Sequence, residues 1–136
     1  PPEHMGTALA EAARVLTPGG LVYVSEPIAE GKFFETCRPI DDETRVRALA
    51  ASALRAAPGL EMADEFTYLH NVAMKSYEAF RDRIVSANHE REEKFAVLDG
   101  EMRALYAANG RPHGEGGMEF DQPMRVNILR KTAQPE

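Results

Sequence analysis

The chain has 136 residues, a length that suits one domain with its own hydrophobic core. Hydrophobic residues make up 43% and charged residues 28%, which is typical of a globular protein and excludes a disordered or fibrous one. With 16 Lys and Arg against 22 Asp and Glu, the formal net charge is −6. The composition therefore offers no electrostatic attraction to nucleic acid or to an anionic membrane.

No apolar run reaches the roughly 18 residues that a membrane-spanning helix requires, and the first residues lack the basic and then apolar layout of a signal peptide. We therefore expect a cytoplasmic protein without membrane contact. Cys37 is the only cysteine, which excludes an intrachain disulfide and a metal site built from several cysteines. The chain opens with Pro1-Pro2 rather than methionine, and we expect it to begin inside a longer protein.

The first predicted elements in chain order are a helix, a tight turn and a strand. Residues 2–16 predict the helix, because Pro2 suits a first helical position and apolar residues recur at helical spacing. The segment Thr17-Pro18-Gly19-Gly20 ends this helix and reverses the chain. The uninterrupted apolar run over 21–24 then predicts a strand that is covered on both faces.

The middle of the chain predicts a loop, a helix and a second strand. Residues 28–39 show no periodicity and predict a loop that carries exposed aromatic side chains. Acidic residues at 41–43 and an apolar stripe over 46–57 predict a helix that ends before Pro58-Gly59. Alternation over 65–74 predicts a strand, and we expect both of its faces to be substantially covered.

The last part of the chain predicts helices and a closing strand. Ser76 suits the cap of a helix over 77–85, and a second helical stripe covers 90–109. Residues 111–117 predict a glycine-rich polar connection, and 124–129 predict the final strand. The sequence thus predicts a single α/β domain over 1–136, with about three strands and four or five helices.

Residues 8–27, which read ALAEAARVLTPGGLVYVSEP, resemble the helix, Pro-Gly-Gly turn and fifth strand of class I S-adenosylmethionine-dependent methyltransferases. The resemblance extends more loosely over nearly the whole chain. It implies a C-terminal portion of a Rossmann-like methyltransferase sheet, in which the fifth strand neighbours the seventh and the seventh pairs antiparallel with the sixth. It also implies that the fourth strand, on the other flank of 21–25, lies outside this chain.

The same resemblance bears on the cofactor. In that family S-adenosylmethionine is held by a glycine-rich loop after the first strand and by an acidic residue at the end of the second, and both would precede Pro1. We therefore expect no cofactor-binding residue in this chain and no activity from the chain alone. The cluster Gly114-Glu115-Gly116-Gly117 does not fit a GxGxxG loop, because Glu119 occupies the final position and a predicted strand follows. A complete doubly wound domain also needs about 200 residues.

Candidate site residues lie around the end of the first strand. Open α/β sheets bind ligands beyond the carboxyl ends of their strands, so we expect Glu26 and Pro27, with Phe33 and Phe34, to contact the substrate. Glu26 is the candidate for anchoring a polar acceptor or taking its proton. His4 is a further candidate, because it follows the place where the family's fourth strand would end. The alternative interpretation is structural: Glu26 hydrates the strand end or pairs with an arginine, the two phenylalanines pack, and His4 is merely exposed.

The other reactive side chains predict no metal site. His89-Glu90 begins an HExxH motif, but Glu93 stands where the second histidine is required. His70 lies among aromatic residues of a predicted strand, and we expect it to be a hydrogen-bonded core histidine. Cys37 is expected to be a small apolar residue, and the mixed charges over 90–94 predict a solvated helix face.

These observations predict part of a methyltransferase that acts on a small-molecule acceptor, whose identity and attacked atom the residues do not specify. Two alternatives remain: a non-catalytic module that binds a partner protein or dimerises, and a small-molecule binding protein that uses no cofactor. Because the strand over 21–25 would stand at an open sheet edge, we also predict a homodimer or a swapped assembly through it.

Overall fold

The structure, a computed structural model, describes residues 4–133 of the chain. It contains six helices and four strands within that range, which confirms the predicted α/β class. In chain order the elements are α1 (Met5–Val15), β1 (Leu21–Pro27), α2 (Lys32–Cys37), α3 (Thr44–Arg55), β2 (Leu60–Met74), α4 (Tyr77–Ala87), α5 (Arg91–Val97), α6 (Asp99–Asn109), β3 (Arg111–His113) and β4 (Gly117–Lys131). The predicted helix start at Pro2 lies outside the described residues.

The strands form one sheet in the order β1-β4-β2, and β3 pairs with β4 beside this path. The pairing of β1 with β4 is antiparallel and runs from Leu21 opposite Arg130 to Pro27 opposite Met124. The order agrees with the expectation that the last strand lies between the other two principal strands. Within the described residues β1 pairs with β4 alone, so β1 stands at one edge of the sheet.

Contacts divide the chain into two compact units. Unit 1 contains the described residues up to Ile28, Glu43–Tyr68, and the residues from Met124 onwards. Unit 2 contains Ala29–Asp42 and Leu69–Pro123. Each unit has its own hydrophobic cluster, and the single domain over 1–136 stays a prediction.

Unit 1 is built on the predicted helix, turn and strand. Gly19 has a φ of 84°, a left-handed conformation that glycine adopts without steric cost, and its N–H donates to the carbonyl of Lys131 at 2.9 Å. The turn thereby fixes the start of β1 against the end of β4. Helices α1 and α3 pack on the sheet face that carries alternate strand residues, through a cluster formed by Leu9, Leu54, Ala57, Leu129, Val22 and Val24.

The prediction of strands covered on both faces is wrong for β1 and β2. In β1 the side chains alternate, and Tyr23 is 63% exposed while Val22 and Val24 pack under the helices. In β2 every residue from Glu61 to Asn71 is exposed. In β1 the reason is that α1 and α3 cover only the face with Val22, whereas most of β2 is exposed on both faces. The sequence pattern of a strand does not report whether another element lies over either face.

Unit 2 is a helical layer around an aromatic cluster. The residues predicted as a loop over 28–39 contain α2, which begins after Gly31 at a φ of 93°. The cluster joins side chains of α2, α4, α5, α6 and β4, including Phe33, Tyr77, Phe80, Phe95, Tyr106 and Phe120. Phe33 lies 5.7 Å from Phe120 and 6.3 Å from Phe80 between ring centroids. The prediction of exposed aromatic side chains is therefore wrong, since Phe33 is partly buried against this cluster and Phe34 is buried.

Three further boundaries in unit 2 differ from the sequence prediction. The helix predicted over 90–109 is divided at Leu98 into α5 and α6. The predicted connection over 111–117 is a hairpin, in which β3 pairs with the start of β4 and Gly114 and Gly116 take positive φ. The closing strand therefore begins at Gly117 rather than near 124. By contrast, the Ser76 cap is confirmed, since its side chain accepts a hydrogen bond from the Ala79 N–H at 3.1 Å.

Tyr77 links the aromatic cluster to the surface of unit 2. Its hydroxyl donates to Asp99 Oδ1 at 2.9 Å, and the guanidinium of Arg103 lies 4.2 Å from the centre of its ring. Burial, with a smaller contribution from the hydrogen bond to Asp99, raises the pKa of Tyr77 from 10.0 to about 12.

None of the described helices is both long and apolar enough to cross a lipid bilayer.

The raised pKa of Tyr77 predicts a loss of stability in alkali. The unfolded chain releases this proton near pH 10, whereas the folded protein holds it to about pH 12. The stabilisation is therefore complete below pH 10 and is lost as the pH rises towards 12. We expect the free energy of unfolding of Tyr77→Phe, measured in urea from pH 7 to pH 12, to fall less steeply than that of the unmodified protein. The exposed Tyr23→Phe is the control, and equal slopes for both variants would contradict the prediction.

Candidate functional site

A buried ion pair lies at the carboxyl end of β1. Glu26 stands opposite Arg125 in the antiparallel register, and Arg125 Nη2 donates to Glu26 Oε2 at 3.3 Å. The side chains are only 9% exposed for Glu26 and 16% for Arg125. Two opposite charges are therefore held together away from solvent, at the end of the strand where the sequence placed the substrate side.

The ion pair continues into a row of polar groups that crosses three strands. Arg125 Nε donates to Asn127 Oδ1 at 3.0 Å, and Asn127 Nδ2 donates to Glu65 Oε2 at 2.6 Å. Glu65 lies on β2 and also pairs with Arg55 of α3 at 3.5 Å. Asn127 is 1% exposed, so its amide is enclosed between the two charged neighbours. We call Glu26, Arg125, Asn127 and Glu65 the polar row.

Strand periodicity explains why these side chains meet. Successive side chains of a strand point to opposite faces, so Glu26 shares a face with Val22 and Val24. On β4, Arg125 and Asn127 likewise share a face with Leu129. Since opposite residues of an antiparallel pair lie on the same face, the register of β1 and β4 continues the apolar layer under α1 and α3 into polar side chains.

The ion pair with Arg125 engages one carboxylate oxygen of Glu26. The Glu26 bond described above uses Oε2. Among the described residues, the Tyr106 hydroxyl is the buried side-chain polar atom that lacks a hydrogen bond. A buried ion pair seldom stabilises a fold more than apolar side chains would, so stability alone is a weak explanation for it.

The other predicted site residues are placed as follows. Pro27 ends β1 directly after Glu26 and is half-buried. His4 is exposed and precedes α1, where its side chain makes no capping hydrogen bond. Phe33 and Phe34 belong to unit 2: Phe33 packs in the aromatic cluster, and Phe34 is buried with the Arg38 guanidinium 5.7 Å from its ring centre. Glu26 and Pro27 therefore share one strand end, and a substrate role for any of the five stays a prediction.

Sequence reasoning missed the partners of Glu26. Arg125 and Asn127 lie within a segment that was interpreted only as a strand. A signal was present, because both occupy the face of Leu129 in an alternating pattern and are polar where a buried face favours apolar residues. The partner of Asn127 on β2, Glu65, carries no such signal, since it lies in a strand that is exposed along most of its length.

The remaining histidines and the cysteine also have defined places. The prediction of a core histidine at His70 is wrong, because its position on β2 is exposed. His113 Nδ1 lies 3.1 Å from Glu119 Oε2 on the β3–β4 hairpin, and Cys37 is partly buried beside the aromatic cluster. In the part of the chain that the structure describes, no three His, Cys, Asp or Glu residues are grouped so that they could hold a metal ion.

Comparisons with known proteins add little to this picture. No protein-family model matches the sequence, and no curated protein matches it. One solved structure that matches is the 1.95 Å crystal structure of a protein from Bacillus halodurans C-125, provisionally described as a methyltransferase. The match has a TM-score of 0.48 and 15% sequence identity, and it covers 94% of this chain and 58% of that chain. This chain therefore spans less than two thirds of that protein's length, and a likeness at this level does not establish a function.

The buried pair of Glu26 and Arg125 can be tested by its effect on stability. We expect Arg125→Met to lower the free energy of unfolding by about 3–5 kcal/mol, because it leaves the Glu26 carboxylate buried without its partner. The double variant Glu26→Gln/Arg125→Met should recover part of this loss, as measured by urea unfolding and a double-mutant cycle. The exposed pair of Arg14 and Glu11 gives the control Arg14→Met, with a change below about 1 kcal/mol. Equal effects of the two methionine substitutions would contradict the assignment.

Proposed function

We propose that this chain is the C-terminal part of an S-adenosylmethionine-dependent methyltransferase whose acceptor is a small molecule, and that the chain alone is inactive. The observation that carries the proposal is the continuous run of helix α1, the Pro18-Gly19-Gly20 turn and β1. In the sheet, β4 lies next to β1 and β2 follows β4. This run carries the sequence resemblance, and Glu26 stands at its end.

The glycine cluster over 114–117 does not fit a cofactor loop. Gly114 and Gly116 take positive φ in the turn between β3 and β4, so this glycine cluster forms a hairpin turn and no helix follows it. A dinucleotide-type loop instead leads from a strand into a helix N-terminus. The proposal therefore assigns cofactor binding to residues outside this chain.

The role of the chain's own residues in the proposal is to hold the acceptor. Glu26 Oε1 would accept a hydrogen bond from a hydroxyl or amine of the acceptor, and would take its proton if the attacking atom must lose one. Arg125 fixes the other carboxylate oxygen, which sets the direction of Oε1. Orientation of this kind is the main contribution that a protein makes when a bound group supplies the reactivity.

The cofactor prediction is tested by calorimetry of the full 136-residue chain with S-adenosylmethionine. We expect no saturable heat of binding, with the folded state verified by circular dichroism of the same sample. Low-micromolar binding would show that the cofactor site is complete within this chain. The coding sequence upstream of Pro1 offers a second test, since the proposal requires a glycine-rich strand–turn–helix there.

A second candidate function is a non-catalytic module that binds a partner or dimerises, and the edge strand β1 favours it. Strand edges are usually blunted by charged residues, proline or bulges. The first half of β2, at the other end of the strand order, carries Glu61, Asp64 and Glu65, whereas β1 exposes Leu21 and Tyr23 and its single charge is neutralised by Arg125. Over residues 21–25 the edge carries neither a charge nor a proline, and an apolar edge of this kind invites pairing with another strand.

The predicted assembly is a homodimer or a swapped form through residues 21–25. Sedimentation velocity of the unmodified protein at micromolar concentration should show a dimer. Tyr23→Lys should shift it to the monomer, because like charges on the same sheet face would then lie close together across the paired strands. Leu69→Lys is the matched control, because Leu69 on β2 is also 63% exposed. A stable monomer of the unmodified protein, or equal dissociation by both substitutions, would contradict the prediction.

A further inference from the structure

A cleft in unit 2 is lined by none of the residues named for the proposed methyltransferase site. It is formed by α4, α5 and α6 and has a volume of about 450 Å³, which is within the range of small-molecule sites. Val85, Phe95 and Ala96 supply its apolar lining, and the remaining lining residues are charged. The cleft therefore combines an apolar surface with charged side chains.

One wall of the cleft is fixed by interactions within the protein. The Asp99 carboxylate accepts a hydrogen bond from the Tyr77 hydroxyl on Oδ1 at 2.9 Å and from Arg103 Nε on Oδ2 at 2.8 Å. Arg103 also lies over the Tyr77 ring, in a favourable cation–π position. Because both carboxylate oxygens are engaged, Asp99 and Arg103 largely satisfy each other.

Two opposite charges on the cleft lining lack comparable partners. Arg81 has one ion pair within the described residues, with its chain neighbour Asp82 at 3.4 Å, and the Asp82 side chain is 72% exposed. Residues adjacent in a helix do not face each other, so such a pair is weak. Within residues 4–133, the side chain of Glu92 forms neither an ion pair nor a hydrogen bond. A guanidinium and a carboxylate thus remain available to a ligand.

We propose that this cleft binds a small zwitterion with an apolar body, of the α-amino acid class. Its carboxylate pairs with Arg81, its ammonium pairs with Glu92, and its side chain lies on Val85 and Ala96. A ligand with a single charge pairs with only one of Arg81 and Glu92. The other side chain then either stays unpaired or is repelled by the like charge of the ligand. The inference is independent of the methyltransferase proposal, since no residue is shared between the two sites.

Three probes with one aromatic body test the charge requirement on the unmodified protein: L-phenylalanine, 3-phenylpropionate, which lacks the ammonium, and phenethylamine, which lacks the carboxylate. Titrations followed by amide chemical shifts should place all saturable changes on α4, α5 and α6. We expect phenylalanine to bind about fivefold tighter than either analogue, the effect of one exposed ion pair. Equal affinities, changes centred elsewhere, or no saturation up to the solubility limit would overturn the proposal.

Two matched variants assign the charges. Arg81→Gln should lower the affinity for phenylalanine and leave that for phenethylamine unchanged, and Glu92→Gln should lower the affinity for phenylalanine and leave that for 3-phenylpropionate unchanged. Arg45→Gln and Glu101→Gln are controls, because both residues are exposed and neither lines the cleft. Equal losses in the control variants would show that net charge alone governs binding and would also overturn the proposal.

Discussion

The antiparallel pairing of β1 with β4 is the interaction on which unit 1 depends. Its register places Val22 opposite Leu129 and Glu26 opposite Arg125, so one ladder of backbone hydrogen bonds defines both the apolar layer under α1 and α3 and the polar groups beyond it. The Pro18-Gly19-Gly20 turn anchors this register, since Gly19 N–H bonds to the last residue of β4. A shift by one residue would turn Glu26 to the opposite face.

The polar row shows how an energetically unfavourable arrangement is accommodated. Glu26, Arg125, Asn127 and Glu65 are charged or polar side chains that alternate as acceptor and donor, so each buried group meets a complementary one. Such a chain of hydrogen bonds orients its members more firmly than a single pair would. It ends at the Glu26 carboxylate, to which the proposed function assigns the acceptor.

Unit 2 meets a different physical requirement. Its helices are short, and short helices are marginal without tertiary packing. The aromatic cluster supplies that packing, with several ring pairs in edge-on or tilted geometry. The same helices α4, α5 and α6 carry the charged residues that line the cleft.

The sequence by itself determined the elements whose signals are local: the helix, turn and strand of residues 5–27, the helix that precedes Pro58, and the Ser76 cap. Their spacing, caps and glycines act within a few residues. Only the tertiary structure decided the exposure of β2, the helix within 28–39 that buries Phe34, and the partner of Glu26. Glu26 and Arg125 are 99 positions apart, so their pairing follows from strand register and helix placement, which local patterns do not encode.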